Sequence, residues 1–173
     1  EARRGMARLD GLARVEVLSR DDLSRWLERH HGQAEAVWLV TQKKGSAHHV
    51  PRADIVETLI AWGWIDSLPR SLDTERSMLL IAPRKPKSAW SGVNKAIADR
   101  LIATQRMMPP GLRAVESAKA SGRWTALDSV EALEVPDDLA RAFARSKTAL
   151  RNFEAFPRSV KRAILEWIGS AKK

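Results

Sequence analysis

The sequence predicts an α+β fold: a small N-terminal βαββ unit with an antiparallel or mixed sheet and flanking helices, followed by an all-helical C-terminal part. Three observations carry this. The run "AVWLVTQKKG" at 36–45 is rich in β-branched and aromatic residues and stops at a Lys-Lys-Gly turn, as a strand does. A second apolar run, "MLLI" at 78–81, follows a helical segment within one βαββ spacing. From residue 88 onward apolar residues recur at helical spacing, and the composition shifts near residue 107.

The elements follow in order. Residues 1–18 read as an N-terminal arm with a short leading strand, "RVEVLS". Ser19 is placed to cap a helix whose first turn holds Asp21 and Asp22, with Gly32 beyond its end. Leu23, Trp26, Leu27 and His30 fall at i, i+3, i+4 and i+7, so one face of that helix is buried. In the 36–45 strand, alternation sets Val37, Leu39 and Thr41 against Trp38, Val40 and Gln42. A loop with His48 and His49 leads to Pro51 and a helix at 52–63 that is apolar over most of its circumference, so it packs on more than one side. Gly63 closes that helix. Two strand segments, "WIDSLPR" and "RSMLLIAPR", form a hairpin around "SLDTE". Ser91 caps the next helix, with Val93, Ile97 and Leu101 as its inner row, and "MMPPG" ends it. Further helices are expected at 110–121, 136–146, 147–156 and 158–171, the last with Val160, Ile164, Leu165 and Ile168 inward. The division is then an arm at 1–18, an α+β core at 19–106, and a helical region at 107–173 packed on the core.

Composition narrows the function classes. The chain has no cysteine, which excludes disulfides, thiolate metal sites and cysteine nucleophiles. No apolar run reaches the roughly 18–20 residues that span a bilayer. The first residues lack the apolar block of a secretory signal, which points to the cytoplasm, although residue 1 is not Met and the start can lie upstream or at Met6. A net charge of +9 and a pI near 10.5 favour polyanionic partners: nucleic acid or a phosphorylated small molecule.

No nucleophile elbow, P-loop, dinucleotide fingerprint or zinc-protease motif is present. The four histidines form two adjacent pairs, His30-His31 and His48-His49, whose members point in different directions, so neither pair makes a two-ligand metal site. No metal or cofactor is expected. His48 and His49 lie in a loop where they can contact phosphate or act as a general base. The dense polar stretch lies elsewhere. Trp64, Asp66, Ser67 and Arg70 are followed some twenty residues later by Arg84, Lys87, Ser88, Trp90, Ser91 and Asn94. In "PRKPKSAWSGVNK" four cations and two serines meet a helix start, whose unpaired N–H groups and positive dipole end suit an anion. Arg84 can grip a phosphate or carboxylate bidentately, and Trp90 can stack on a base. The plain structural alternative is that the serines cap, Trp90 packs and the lysines are solvated.

These same residues carry a resemblance. "GWIDSLPRSLD" and "APRKPKSAWSGVNK" followed by "ADRL" resemble the YdeI/OmpD-associated family of bacterial proteins. The pattern falls on Gly63, Trp64, Ile65, Asp66, Ser67, Asp73, Pro83, Arg84, Ser88, Trp90, Ser91 and Asn94. "VWLVTQKKG", "GLRAVESAKASGRW", "VPDDL" and the tail "AILEWIGSAKK" extend the likeness over about residues 20–172. Ala61-Trp62 stands where members often have Cys-Phe. The resemblance implies a link to bacteriocin protection or porin association and supplies no catalytic set. Three readings remain open: a stress- or bacteriocin-tolerance binding protein with an anion site between the two motifs, an enzyme of unassigned chemistry using Asp66 and Arg84 in that cleft, and a protein that acts through a protein partner at exposed tryptophans such as Trp124 and Trp167.

Overall fold

The computed structural model describes residues 9–171. Strand β1 (Arg14–Glu16) leads into helix α1 (Arg20–His30), strand β2 (Val37–Gln42) and helix α2 (Arg52–Ala61). A hairpin follows, made of β3 (Trp64–Ser71) and β4 (Arg76–Pro83). The rest is helical: α3 (Gly92–Ala103), α4 (Pro109–Ala120), the single turn α5 (Asp128–Glu131), α6 (Asp137–Arg145), α7 (Lys147–Ala155) and α8 (Arg158–Ser170). The fold is α+β, as the sequence predicts. Of the N-terminal arm, residues 1–8 lie outside the described residues, as do Lys172 and Lys173 of the tail.

The sheet runs β1-β2-β4-β3 and is mixed: β1 pairs parallel to β2, and the other pairs are antiparallel. β2 lies inside the sheet, which explains its run of apolar residues on both faces. Val37, Leu39, Leu79 and Ile81 face the helices and join Leu23, Leu27, Ile55, Leu59 and Trp64 in the main core. Trp38, Val40 and Met78 make a smaller cluster on the other face, covered in part by Leu9, Leu12 and Leu72.

The helix ends have local causes. Ser19 Oγ accepts from the Asp22 amide at 3.1 Å, closing the first turn of α1. Ser19→Ala should cost about 1 kcal/mol in urea denaturation, the usual cost of losing such a cap. Gly63 ends α2 with φ +75, and a Cβ there would lie 2.9 Å from the Pro110 carbonyl oxygen. Only glycine meets both conditions at no cost. Trp62 stacks on His31 and Trp64 meets Trp26 edge-on, so both tryptophans beside Gly63 turn toward α1.

Two expectations need correction. Val93 does not belong to the inner row of α3; it is 71% exposed. The buried row is Ala98 and Leu101, with Ile97 beside it, so the core-facing side is rotated toward Asn94. Val93 sits in the first turn, beyond the reach of the core, and its apolar spacing to Ile97 follows from helical period alone. Likewise Val160 in α8 is exposed, while Leu165 is fully buried and Ile164 and Ile168 are half-buried. The turn α5 has no amphipathic period to announce it. It matters nonetheless, because Glu131 at its end reaches back to α3.

Candidate functional site

The two polar motifs come together at the sheet end where β3 begins and β4 ends, but only in part. Asp66 pairs in register with Ile81 and so faces the helices, where Arg52 of α2 holds its carboxylate. Ser67 is exposed, its hydroxyl donating weakly to the Leu80 carbonyl at 3.4 Å. Between Asp66 and Pro69 the register slips by one residue. Arg70 therefore pairs with Met78 and lies on the opposite face, over the Trp38 ring at 4.9 Å and bonded to Asp10 at 2.7 Å. Regular alternation would have put Asp66 and Arg70, four apart, on one face; the bulge separates them. Trp64 is fully buried and donates its Nε1–H to the His31 carbonyl at 3.1 Å.

In the second motif, the Ser88 amide donates to the Lys85 carbonyl at 2.9 Å in a turn that leaves Lys87 exposed. Ser91 caps α3 by accepting from the Asn94 amide at 3.3 Å. The next amide, Gly92, donates at 3.4 Å to Glu131 Oε1 from α5. Arg162 of α8 binds the same carboxylate at 3.0 Å, and its guanidinium holds Glu131 below the usual carboxylate range. The start of α3 does bind an anion, as its unpaired amides favour, but that anion comes from the chain itself. Lys95 pairs with Asp128 on the same turn.

Trp90 is 1% exposed and packs on Trp124 at 5.1 Å. Its other partner is Arg84, whose guanidinium carbon lies 3.8 Å over the ring. Arg84 Nη1 donates to the Ala89 carbonyl at 3.3 Å, while Nε and Nη2 are buried and have no hydrogen-bond partner among the described residues. Those two nitrogens form one edge of the guanidinium, with parallel N–H bonds suited to a carboxylate or phosphate. Burial pushes Arg84 down to about 10, and the nearby Asp66 charge opposes the shift. The group therefore stays protonated at neutral pH.

Arg84 borders a cleft of 370 Å³ whose lining includes His31, Lys85, Trp90, Arg113 and Ser117 and no carboxylate. Asp66 and Asn94 are not among its lining residues. Arg113 and Ser117, one turn apart on α4, lie outside both motifs. Their only signal in sequence is a row of small residues, Gly111, Ala114 and Ala118, marking a face that another backbone can approach. Of the exposed tryptophans considered for a partner, Trp167 is 74% exposed, whereas Trp124 is tied to Trp90. No group of metal-ligating side chains occurs among the described residues.

Residues 15–114, more than half of the chain, match the family model described as Domain of unknown function (DUF8412). The chain belongs to that family. Residues 132–173 match a second model, described as Bacteriocin-protection, YdeI or OmpD-Associated. The model of the family that the sequence resembles thus matches the stretch of α6 to α8, while both polar motifs lie within the DUF8412 stretch. No curated protein and no solved structure matches the chain. No helix among the described residues is long and apolar enough to cross a membrane.

Proposed function

We propose that this DUF8412 member is an anion-binding protein, with a role in stress or bacteriocin tolerance, and that it takes a carboxylate or phosphate at Arg84 in the cleft between the GWIDS segment and the PRKPKSAWSGVN helix start. One observation carries the reading: a charged, largely buried arginine presents an unfilled bidentate edge beside a cleft without carboxylates. A buried cation without an acceptor costs free energy that a bound oxyanion would recover. The bacteriocin label rests on the match of the C-terminal helices.

The enzyme reading needs Asp66 and Arg84 to meet one substrate. Asp66 is held by Arg52 and lies outside the lining of the Arg84 cleft, so binding is the better-supported activity. Calorimetric titration with inorganic phosphate, acetate and a short single-stranded oligonucleotide, at low and high salt, tests the proposal. We expect Arg84→Lys to weaken binding about tenfold or more, since an ammonium cannot present two parallel donors. Oligonucleotide binding should fall steeply with salt if phosphates are contacted. Equal affinity in the wild type and Arg84→Lys, with both proteins folded by circular dichroism, would reject the site.

A further inference from the structure

A second cleft, of 550 Å³, opens on the helix-facing side of the sheet at the opposite end of α2 from the Arg84 cleft. Its floor is apolar, built by Val50, Ile55, Pro69 and Leu79. Its rim is basic and carries no carboxylate: Lys43, Lys44, His49 and Arg52 line it. Arg52 is neutralised by Asp66. Neither lysine has a carboxylate partner among the described residues. Lys43 Nζ donates to Ser71 Oγ at 3.0 Å and to the Asp73 carbonyl at 2.6 Å, both neutral oxygens, and Lys44 is exposed. His49 Nδ1 lies 2.8 Å from the Gln42 carbonyl, which must accept, so Nδ1 carries the proton and Nε2 is left over.

Thr41 supplies an independent observation. It is 9% exposed, lines the cleft from β2, and its hydroxyl has no hydrogen-bond partner among the described residues. The hydroxyl oxygen itself is not sealed from solvent, so from the wall of the cleft it is open to a polar group of a ligand. A cavity of this size, with an apolar floor and a few polar groups at one edge, has the make-up of a small-molecule site.

We infer that this cleft binds an anion with an apolar body, a phosphate ester or an acyl or aryl carboxylate, its charged end at Lys43 and Lys44 and its body over Ile55 and Leu79. The site is separate from the Arg84 cleft and does not depend on it.

The test is calorimetric titration of the full chain carrying Arg84→Gln, which silences the first cleft. The ligands are phenyl phosphate, octanoate and inorganic phosphate. Saturable binding of phenyl phosphate or octanoate is expected, with inorganic phosphate about tenfold weaker because it leaves the apolar floor uncovered. Whether the ester or the carboxylate binds more tightly identifies the head group. Lys44→Glu should weaken the preferred ligand about tenfold. The same charge change at exposed Lys147 on α7 should leave it within about twofold. Ser77→Phe, which adds bulk to the cleft wall, should abolish binding. No saturable heat with either amphipathic anion overturns the inference, as does equal loss from Lys44→Glu and Lys147→Glu. Because Arg84 is absent throughout, neither result bears on the first cleft.

Discussion

Gly111→Ala should destabilise the protein by about 3 kcal/mol, the upper range for overpacking a tight contact. A Cβ at Gly111 would collide with the Ala61 carbonyl oxygen and lie 2.7 Å from that of Ile60 and 2.5 Å from Met107 Sδ. The methionine can swing away, but the carbonyls are the last turn of α2. They are fixed by the Met108 amide, which donates to the Ala61 carbonyl at 3.1 Å, and by the Gly63 turn beyond. The first turn of α4 would have to move off α2. Pro110 and Ala114 on that face line the Arg84 cleft, so anion binding there should fall with stability. Thermal denaturation is the measurement, with a drop of roughly 10 °C expected for a chain of this size. Gly169→Ala in α8 is the control. A Cβ there meets nothing within 4 Å, so the better helix former should stabilise by a few tenths to about 1 kcal/mol. A melting point for Gly111→Ala close to that of the wild type would show that α4 does not pack as described.

Glu57→Gln should be nearly as costly, and its cost should depend on pH. Glu57 is 12% exposed at its side chain and receives Arg20 from α1 at 2.8 Å, Arg100 from α3 at 2.7 Å and Arg106 at 2.8 Å. One carboxylate thereby ties three segments of chain to α2. Its hydrogen bond from Arg20 is the main cause holding it down to about 2, against an ordinary value of 4.5. A carboxyl whose folded value is depressed stabilises the fold fully above the unfolded value. That contribution is lost as pH falls from about 4.5 toward about 2. At pH 7 the glutamine leaves Arg100 and Arg106 without this anion and Arg20 with Asp54 alone, at 3.7 Å. A loss of about 2 kcal/mol is expected, reduced from the buried-pair range because the arginines are partly solvated. Urea denaturation at a series of pH values should show the wild-type and Glu57→Gln stabilities converging between pH 4.5 and pH 2. Parallel curves over that interval would mean that Glu57 keeps its ordinary acidity and that the cluster contributes little.

Both effects come from contacts between residues far apart in sequence, which marks where reading the chain stops. Ser19, Gly63 and Ser91 were legible as helix ends because capping and left-handed turns depend on a few neighbouring residues. The helices after residue 107 were legible because period is local. The candidate site was legible as two polar clusters, and Arg84 with Trp90 is the pair that the fold brings into contact. The sequence could not show that a bulge at 66–69 carries Arg70 to the other face of the sheet, since one extra residue leaves no mark on composition.

Nor could it show what fills the start of α3. The unpaired amides behind Ser91 invite an anion, and the sequence alone cannot say whether the anion is a ligand or a residue of the same chain. Glu131, thirty-nine residues on, answers the question through α5. Period, caps and charge belong to the sequence because they act over one or two turns of chain. Which cation is paired and which is left open was decided by tertiary structure, because ion pairing depends on distance in space. On that criterion Arg52, Arg70 and Arg162 are satisfied from within the molecule, while Arg84 keeps one edge unfilled.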